Sequence, residues 1–215
     1  MTISCGKVEL IIIGAGGFGL EVFWLAERLG YEVIGFLDDI QDQDKEVISG
    51  KKILGKVSDW QTFKESQFTL AVGAPVGRKK IYNKMTEASA KPLFATLIDP
   101  FARVGINVNI GEGSIICAGV VLTAQINVGI QTIINLNCTI GHETKIGDFV
   151  TIAPLTAISG RVIIGENVEL GTSSAVRPGL EIGSNSLLGM GGILTKNMPE
   201  NTVFYGNPAK FIKSI

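Results

Sequence analysis

Histidine, cysteine and net charge are all scarce in this 215-residue chain, and each scarcity excludes a class of function. The net charge is −1, so there is no basic field that could hold nucleic acid or an anionic lipid surface. The three cysteines, Cys5, Cys117 and Cys138, form neither a disulfide framework nor a set with metal-ligand spacing. The single histidine, His142, excludes a zinc site built from several imidazoles.

A long apolar segment is also missing near the amino terminus. The apolar run from Val8 to Ile13, with Glu9 inside it, is too short for a signal sequence or a membrane span. We therefore expect a cytoplasmic protein without membrane insertion. Apolar residues make up 46% of the chain and charged residues 18%, which is the composition of a protein that buries a core.

Glycine is abundant, with 27 residues, and the second half of the chain explains why. Every sixth residue from Ile98 to Leu194 is Ile, Leu or Val, seventeen times without a slip in register. The residue after many of these aliphatics is glycine, at positions 105, 111, 129, 141, 147, 165, 171, 183 and 189. A period of six is neither helical nor a simple strand alternation. It predicts a triangular coil of 18 residues with one short strand per side, the aliphatic pointing inward and the glycine allowing the corner.

This pattern resembles the hexapeptide-repeat acyltransferases, over residues 98–194. The resemblance implies a left-handed parallel β-helix and a homotrimer. Some β-helices of this kind are carbonic anhydrases, but those need several zinc-binding histidines, and this chain has one. We expect the β-helix domain to span residues 98–198, followed by a tail of residues 199–215.

Residues 1–97 alternate predicted strands and helices, which indicates a small Rossmann-like parallel α/β domain. GAGGFG, residues 14–19, matches the glycine-rich dinucleotide fingerprint, and Asp38 and Asp39 follow about twenty residues later. Three interpretations stay open: an NAD site, a structural turn without ligand, and a nucleotide-sugar site. All share one physical basis, because the amides of a helix amino terminus bind phosphate. Only three or four strands seem to fit before the coils, which disfavours a full NAD site.

The joined pattern of G-x-G-G-x-G, F-L-D-D and A-V-G followed by an arginine, ahead of a hexapeptide β-helix, resembles the PglD/NeuD-like sugar acetyltransferases. The resemblance implies acetyl-CoA-dependent N-acetylation of a nucleotide-linked amino sugar in bacterial surface-glycan biosynthesis. It also implies a set of substrate-binding residues: Gly16, Gly17, Phe18, Asp38, Asp39, Gly73 and Arg78. The family often has histidine where Phe18 stands; phenylalanine can stack on a ring but cannot donate a hydrogen bond.

His142 is the candidate catalytic residue, two positions after the inward Ile140 and therefore at an outward-pointing corner. The competing interpretation is a solvated surface histidine. The adjacent Glu143 can orient an imidazole, and I-G-H-E-x-x-I-G-D-F resembles the family segment in which this histidine is the general base. Cys117 and Cys138 are poor nucleophile candidates, so we expect direct transfer, with a backbone N–H holding the thioester oxygen.

Cofactor contacts are predicted from the 18-residue spacing and from the resemblance. Gly160 lies one coil beyond His142, and Thr172 and Met190 share another column, where the family binds the CoA arm. Thr151 matches a position that is histidine in some members. The ending G-N-P-A-K resembles the family's CoA-proximal tail, which assigns Gly206, Pro208 and Lys210; a purely structural cap is the alternative. In a trimer, His142 of one chain would face the CoA column of its neighbour.

Two alternatives to N-acetylation remain at this point. One is O-acetylation of sialic acid or another sugar by the same machinery. The other is a non-catalytic trimeric scaffold that binds nucleotide sugars. An NAD-dependent enzyme on the first domain is a third hypothesis.

Overall fold

A computed structural model describes residues 8–215 of the chain; Cys5 and the first seven residues of the predicted 1–97 domain lie outside the described residues. Two compact units are present. The first comprises the chain up to Val72 together with Lys80–Ala95, and the second comprises Gly73–Lys79 together with Thr96–Ile215. Residues 73–79 therefore group with the coils and not with the rest of the predicted first domain.

The first unit is built on a six-stranded sheet. Its elements in chain order are β1 (Glu9–Ile13), α1 (Gly17–Arg28), β2 (Glu32–Leu37), β3 (Glu46–Ile48), β4 (Lys51–Gly55), a 3₁₀ helix (Val57–Phe63), β5 (Gln67–Leu70), α2 (Pro75–Thr86) and β6 (Leu93–Phe94). The strand order is β3-β4-β2-β1-β5-β6, and all pairs are parallel except β3 with β4. The expectation of three or four strands was too low, because the polar segment after β2 forms the β3–β4 hairpin.

Apolar runs explain why the central strand and its helix form. In β1, Leu10 to Ile13 are fully buried, as a parallel strand covered on both faces requires. Helix α1 begins three residues before the predicted Leu20, directly inside the glycine-rich segment. Both α-helices contain 12 residues, and within residues 8–215 no helix is long and apolar enough to cross a bilayer.

The second unit contains three parallel sheets that form the sides of the predicted triangular coil. The eight-stranded face contains Leu97–Ile98, Ile115–Ile116, Ile133–Ile134, Thr151–Ile152, Glu169–Leu170, Leu187–Leu188, Thr202–Tyr205 and Lys210–Ser214. The six-stranded face contains Arg103–Ile106, Val121–Ala124, Thr139–Ile140, Ala157–Ile158, Ala175–Val176 and Ile193–Leu194. The five-stranded face contains Asn109–Ile110, Asn127–Val128, Lys145–Ile146, Ile163–Ile164 and Glu181–Ile182. Lys210–Ser214 alone runs antiparallel, as the end of a carboxy-terminal hairpin.

Each strand pairs with the strand 18 residues further on, as the sequence repeat predicts. Ile116 pairs with Ile134, which pairs with Ile152, and the same step continues along every face. The sixfold aliphatic series forms one apolar core down the axis, and most of its members are less than 5% exposed. The predicted fold class, a Rossmann-like α/β domain followed by a left-handed parallel β-helix, is confirmed.

Three corners connect the faces, and each is named here by a residue in it. The methionine corner, residues 136–137, 154–155, 172–173 and 190–191, leads from the eight-stranded to the six-stranded face. The histidine corner, residues 124–125, 142–143, 160–161, 178–179 and 196–197, leads from the six-stranded to the five-stranded face. The asparagine corner, residues 130–131, 148–149, 166–167 and 184–185, leads from the five-stranded to the eight-stranded face.

The corner conformation belongs to a different residue from the one that the sequence suggested. Every sixth residue from Asn107 to Gly191 has a positive φ, and this position lies three residues after the inward aliphatic. The glycines directly after the aliphatics do not have positive φ; they are required by close packing between coils. A Cβ on Gly147, for example, would lie 2.8 Å from the backbone N of Glu166 in the next coil.

Replacing Gly147 with alanine should destabilise the β-helix, because the added methyl group meets backbone atoms that cannot move aside. We expect a loss of about 1–3 kcal/mol in the free energy of unfolding, the usual range for overpacking. Thermal unfolding of Gly147→Ala should be compared with Lys145→Gln, which changes an exposed residue two positions earlier. Equal midpoints for the two variants would contradict the packing explanation.

Candidate functional site

His142 lies at the histidine corner, between the strands Thr139–Ile140 and Lys145–Ile146. Its side chain is 54% exposed, and its Nδ1 atom is 2.8 Å from Oε2 of Glu143. Glu143 occupies the left-handed corner position, with φ of 60°, and this backbone turn brings its carboxylate back beside the preceding imidazole. Because Nδ1 is bonded to a carboxylate, the neutral ring carries its proton there and presents Nε2 as the basic nitrogen.

The imidazole lies directly over Gly160, which is 18 residues further on and therefore in the adjacent coil. A Cβ on Gly160 would be 2.6 Å from Nε2 and 2.8 Å from Cε1 of His142. The absence of a side chain at residue 160 is thus what makes room for the ring. Gly160, expected from the sequence to contact a cofactor, has the additional role of seating the histidine.

The backbone N–H of Gly160 is also unusual. At the equivalent corner position, the amides of Ile130 and Glu166 donate to a side chain one coil further on, Asp148 Oδ1 at 2.9 Å and Ser184 Oγ at 3.2 Å. One coil beyond Gly160 stands Pro178, which has no side-chain acceptor. Within the described part of the chain, the Gly160 amide therefore donates no hydrogen bond and is available beside the imidazole.

Arg161 is a member of this cluster that the sequence analysis missed. Its Nη1 atom is 3.8 Å from Oε2 of Glu143, and its side chain is 62% exposed. The signal was present, because Arg161 follows Glu143 by one 18-residue coil step. Glu143 thus lies between the imidazole and a guanidinium group.

The predicted cofactor residues fall into separate groups. Thr172 and Met190 lie at the methionine corner, on a different edge of the coil from His142. The tail turn that contains Gly206 and Pro208 attaches beside this corner, because Ile193 N donates to Gly206 O and Ala209 N donates to Ile193 O. Lys210 begins the last strand at this turn.

Tyr205 is a second residue that the sequence analysis did not single out. Its ring lies over Gly189, next to the 70%-exposed Met190, and a Cβ on Gly189 would collide with it. A tyrosine ring, Met190 and the tail turn are therefore adjacent at the end of the methionine corner. The clue in the sequence was weak, because it depends on how the tail folds back onto the last coil.

Arg78 and Thr151 are committed to contacts within the second unit. Arg78 is 1% exposed; it donates from Nε to Gln131 O at 2.7 Å and from Nη2 to Phe149 O at 3.0 Å and Val150 O at 3.1 Å. Burial lowers the pKa of Arg78 to about 9, against the raising effect of the Glu169 charge. This burial argues against the predicted contact of Arg78 with a substrate and indicates that Arg78 anchors residues 73–79 to the coils.

The Gly73 carbonyl accepts two of these anchoring bonds. Arg78 Nη1 donates to it at 3.0 Å and Thr151 Oγ1 at 2.6 Å. Thr151 is 9% exposed and lies on the eight-stranded face, so the structure does not bring it near His142 in the same chain. The predicted cofactor role of Thr151 is thereby replaced by a hydrogen bond that fixes the backbone at Gly73.

The glycine-rich segment of the first unit divides into structural and open positions. Gly14 has φ of 101°, and Gly19 packs against the Gly14 carbonyl too closely for any side chain. At Gly16 and Gly17, by contrast, no atom lies within 4 Å of an added Cβ, and neither has a positive φ. The fold itself gives no reason for glycine at these two residues, which start helix α1 beside the half-buried Phe18. An anionic group that approaches the helix amides would supply that reason.

Asp38 and Asp39 are both bonded to backbone amides of their own unit. Asp38 Oδ2 accepts from Ala15 N at 2.8 Å, and its Oδ1 accepts from Ile40 N at 2.7 Å and Gln41 N at 2.9 Å. Burial acts to raise the pKa of Asp38, but these hydrogen bonds and the charge of Lys56 outweigh it and bring the pKa below its ordinary value. Asp39 Oδ1 accepts from Val57 N at 2.9 Å. Asp38 therefore holds the glycine-rich segment in place from below.

Neither cysteine in the coils resembles a nucleophile. Cys138 is fully buried inside the coil, and burial raises its pKa to about 11, which keeps it as a thiol at neutral pH. Cys117 is 6% exposed. In the part of the chain from residue 8 onward, no cluster of three or more His, Cys, Asp or Glu side chains could hold a metal ion.

Comparison with known families matches both units. The sequence model of the PglD N-terminal domain matches residues 9–85, and that of the hexapeptide repeat of succinyl-transferase matches residues 102–124 and 161–196. GDP-perosamine N-acetyltransferase of Escherichia coli O157:H7 is similar at 27% identity, over 94% of this chain and 95% of that protein.

Two solved structures are similar over almost the whole chain. PerB from Caulobacter crescentus, in complex with CoA and GDP-perosamine, has 27% identity and a TM-score of 0.88, and the match covers 98% of this chain and 99% of PerB. The acetyltransferase domain of PglB from Neisseria gonorrhoeae has 30% identity and a TM-score of 0.88, with 96% and 100% of the two chains covered.

The Asp38 bonds predict a pH-dependent stability. Because its pKa is lowered in the folded state, Asp38 stabilises the fold above the unfolded value near ~3.9, and this contribution is lost as the pH falls through the folded pKa. Asp38→Asn should therefore lower the thermal midpoint at pH 7, and the difference from the original protein should shrink towards pH 3. Asp42→Asn, an exposed carboxylate in the same loop, is the control. A difference that stays constant between pH 7 and pH 3 would contradict this role.

Proposed function

The chain belongs to the PglD-type family of hexapeptide-repeat sugar acetyltransferases, and on that premise we propose that it N-acetylates a nucleotide-linked amino sugar with acetyl-CoA. It is an acetyltransferase, and acetyl-CoA is its co-substrate. One observation carries the proposed mechanism: an exposed His142–Glu143 pair lies over a glycine whose amide is available.

His142 acts as the general base through Nε2. Glu143 accepts the Nδ1 proton at 2.8 Å, which fixes the ring orientation and stabilises the imidazolium that forms during the reaction. The lone pair of Nε2 then points towards the acceptor amine. An imidazole suits this task because it titrates close to neutral pH.

The reaction proceeds by direct transfer. The amine nitrogen attacks the thioester carbonyl carbon, the new C–N bond forms, and the amine loses one proton to Nε2 of His142. The C–S bond then breaks, and the leaving thiolate receives that proton to give CoA. No acyl-enzyme is needed, which agrees with the buried, protonated state of Cys138.

We assign the Gly160 amide as the donor to the thioester oxygen. Negative charge develops on that oxygen during the attack, and a preorganised N–H is worth most where the charge appears. The absence of a side-chain acceptor at Pro178 leaves this amide without a partner in the described chain. The same glycine thus seats the base and stabilises the oxyanion.

The nucleotide diphosphate is proposed to bind at the glycine-rich segment of the first unit. Gly16 and Gly17 leave their backbone open, and the first-turn amides of α1 point along the helix dipole. Phe18 offers a ring face for stacking, and Asp39 keeps one carboxylate oxygen beyond its bond to Val57. Asp38 contributes by holding this segment.

The active assembly is proposed to be a homotrimer. Within one chain, His142 and the proposed CoA column of Thr172 and Met190 lie on different corners, so one coil cannot place both around one thioester. A neighbouring chain that presents its methionine corner to the histidine corner solves this. Gly206, Pro208 and Lys210, which attach beside Met190, would then meet the nucleotide end of CoA. Both substrates are cytoplasmic metabolites, which supports the cytoplasmic location expected from the sequence.

His142→Ala should lower kcat by about 10² to 10⁴, because the amine loses its proton acceptor. The assay is release of the CoA thiol from acetyl-CoA with a panel of nucleotide-linked amino sugars and of hydroxyl acceptors. Light scattering should show the same assembled mass for the variant. Turnover close to that of the original protein would remove His142 from the base role, and activity on hydroxyl acceptors alone would favour O-acetylation.

Gly160→Ala tests the seat of the imidazole. The added methyl group would lie 2.6 Å from Nε2, so the ring must move, while no backbone atom is displaced. We expect kcat to fall on the order of 10²-fold, the usual cost of a misplacement near 1 Å, with a thermal midpoint within a few degrees of the original. Gly147→Ala provides the opposite control: lower stability, but unchanged kcat below its melting temperature. An active Gly160→Ala would contradict the seating role.

A further inference from the structure

Charge is divided unequally among the faces of the coil. On the six-stranded face and the histidine corner, residues 103–107, 121–125, 139–143, 157–161, 175–179 and 193–197, the charged residues apart from His142 are four cations and one carboxylate. They are Arg103, Glu143, Arg161, Arg177 and Lys196. This edge is therefore strongly cationic in a chain whose net charge is −1.

The other two edges have the opposite sign. On the five-stranded face and the asparagine corner, residues 109–113, 127–131, 145–149, 163–167 and 181–185, four carboxylates face one cation, Lys145. On the eight-stranded face and the methionine corner, between residues 97 and 191, the charged residues are Asp99 and Glu169. The basic edge is therefore a local feature of the side of the coil that carries His142.

The cations of this edge follow His142 in register. Arg161 lies one coil beyond Glu143, Arg177 precedes Pro178 in the second coil, and Lys196 lies one coil beyond Pro178. At about 4.8 Å per coil, they extend roughly 14 Å from the imidazole. Arg177 and Lys196 are exposed, and neither makes a hydrogen bond or an ion pair within residues 8–215.

We propose that Arg161, Arg177 and Lys196 form a phosphate-binding strip that holds the diphosphate of a substrate alongside the catalytic histidine. The ligand chemistry is a diphosphate, because a spacing of several ångströms between successive cations suits two or more linked phosphate groups better than one carboxylate. The inference rests on the proposed function, in which both substrates carry such a group: the ADP part of CoA and the nucleotide of the sugar. Like-charged side chains along one edge repel each other, so an anion between them removes an unfavourable term.

A second copy of the chain is the competing occupant of this strip. The five-stranded face is acidic, so the cations of one chain could pair with the carboxylates of another. An uncharged pair of substitutions distinguishes the two cases. Loss of ligand affinity in an intact assembly supports the strip, and loss of assembly mass contradicts it.

The experiment uses the double variant Arg177→Gln, Lys196→Gln in the full chain. Arg161 is left intact because it contacts Glu143 at 3.8 Å and would affect the base as well. We measure the Kd of CoA, dephospho-CoA, GDP and UDP by calorimetry at low and high salt. For the ligand whose phosphates use the strip, affinity should fall on the order of 10-fold or more, with a weaker dependence on salt. Lys145→Gln, a cation of the acidic face, is the matched control and should leave every Kd within twofold.

The ligands separate the two sources of diphosphate. Weaker binding of CoA alone assigns the strip to the co-substrate, and a smaller effect with dephospho-CoA places the 3′-phosphate on it. Weaker binding of GDP or UDP alone assigns it to the nucleotide sugar. Unchanged Kd values for all four ligands would overturn the strip.

The outcome is also separable from the proposed function. If no nucleotide sugar is acetylated but CoA or a nucleoside diphosphate binds and the double variant binds it more weakly, the function fails and the strip stands. If acetylation proceeds and the double variant retains every Kd and both KM values within twofold, the strip fails and the function stands.

Discussion

Parallel stacking in an unbroken 18-residue register is the constraint on which the rest of this protein depends. Each strand pair fixes the next coil, and each corner repeats one left-handed residue, so a side chain in one coil has its neighbours set by arithmetic. Glu143 illustrates the effect. Non-glycine residues in this conformation cost about 1 kcal/mol, yet here the turn brings a carboxylate back to the imidazole before it in the chain. The register, and not any single contact, places Gly160 beneath the ring and Arg161 beside the carboxylate.

Local glycines therefore have three distinct physical reasons in one chain. Gly14 takes a left-handed conformation after a buried strand. Gly147 and its equivalents allow two coils to approach at the backbone, and Gly160 leaves space for a catalytic side chain. Gly16 and Gly17 fit none of these patterns, which is why a ligand is the better explanation for them. Sorting glycines in this way separates the requirements of the fold from those of the chemistry.

The sequence predicted most of the β-helix, because an aliphatic residue at every sixth position leaves almost no alternative architecture. It also predicted His142 and Glu143, since their corner position follows from the same count. It could not predict the role of Arg78, whose partners Gln131 and Phe149 are more than fifty residues away and offer backbone carbonyls that no side-chain pattern reveals. Asp38 was misjudged for a similar reason: the motif suggested a ligand contact, while Ala15, Ile40 and Gln41 already use both of its oxygens. The β3–β4 hairpin was missed because its short, polar strands lack a clear period.

The repeated left-handed corner also restricts how such a chain can change its length. An insertion of one to five residues shifts every later aliphatic off the axis and would have to leave the coil as a loop, whereas 18 residues add a complete rung. A whole rung between His142 and the tail would carry Gly206 and Lys210 about 4.8 Å further from the imidazole and leave all three sides intact. Evolution of this architecture is therefore quantised: its reach along the axis grows or shrinks in steps of one rung, and intermediate lengths are available only outside the prism.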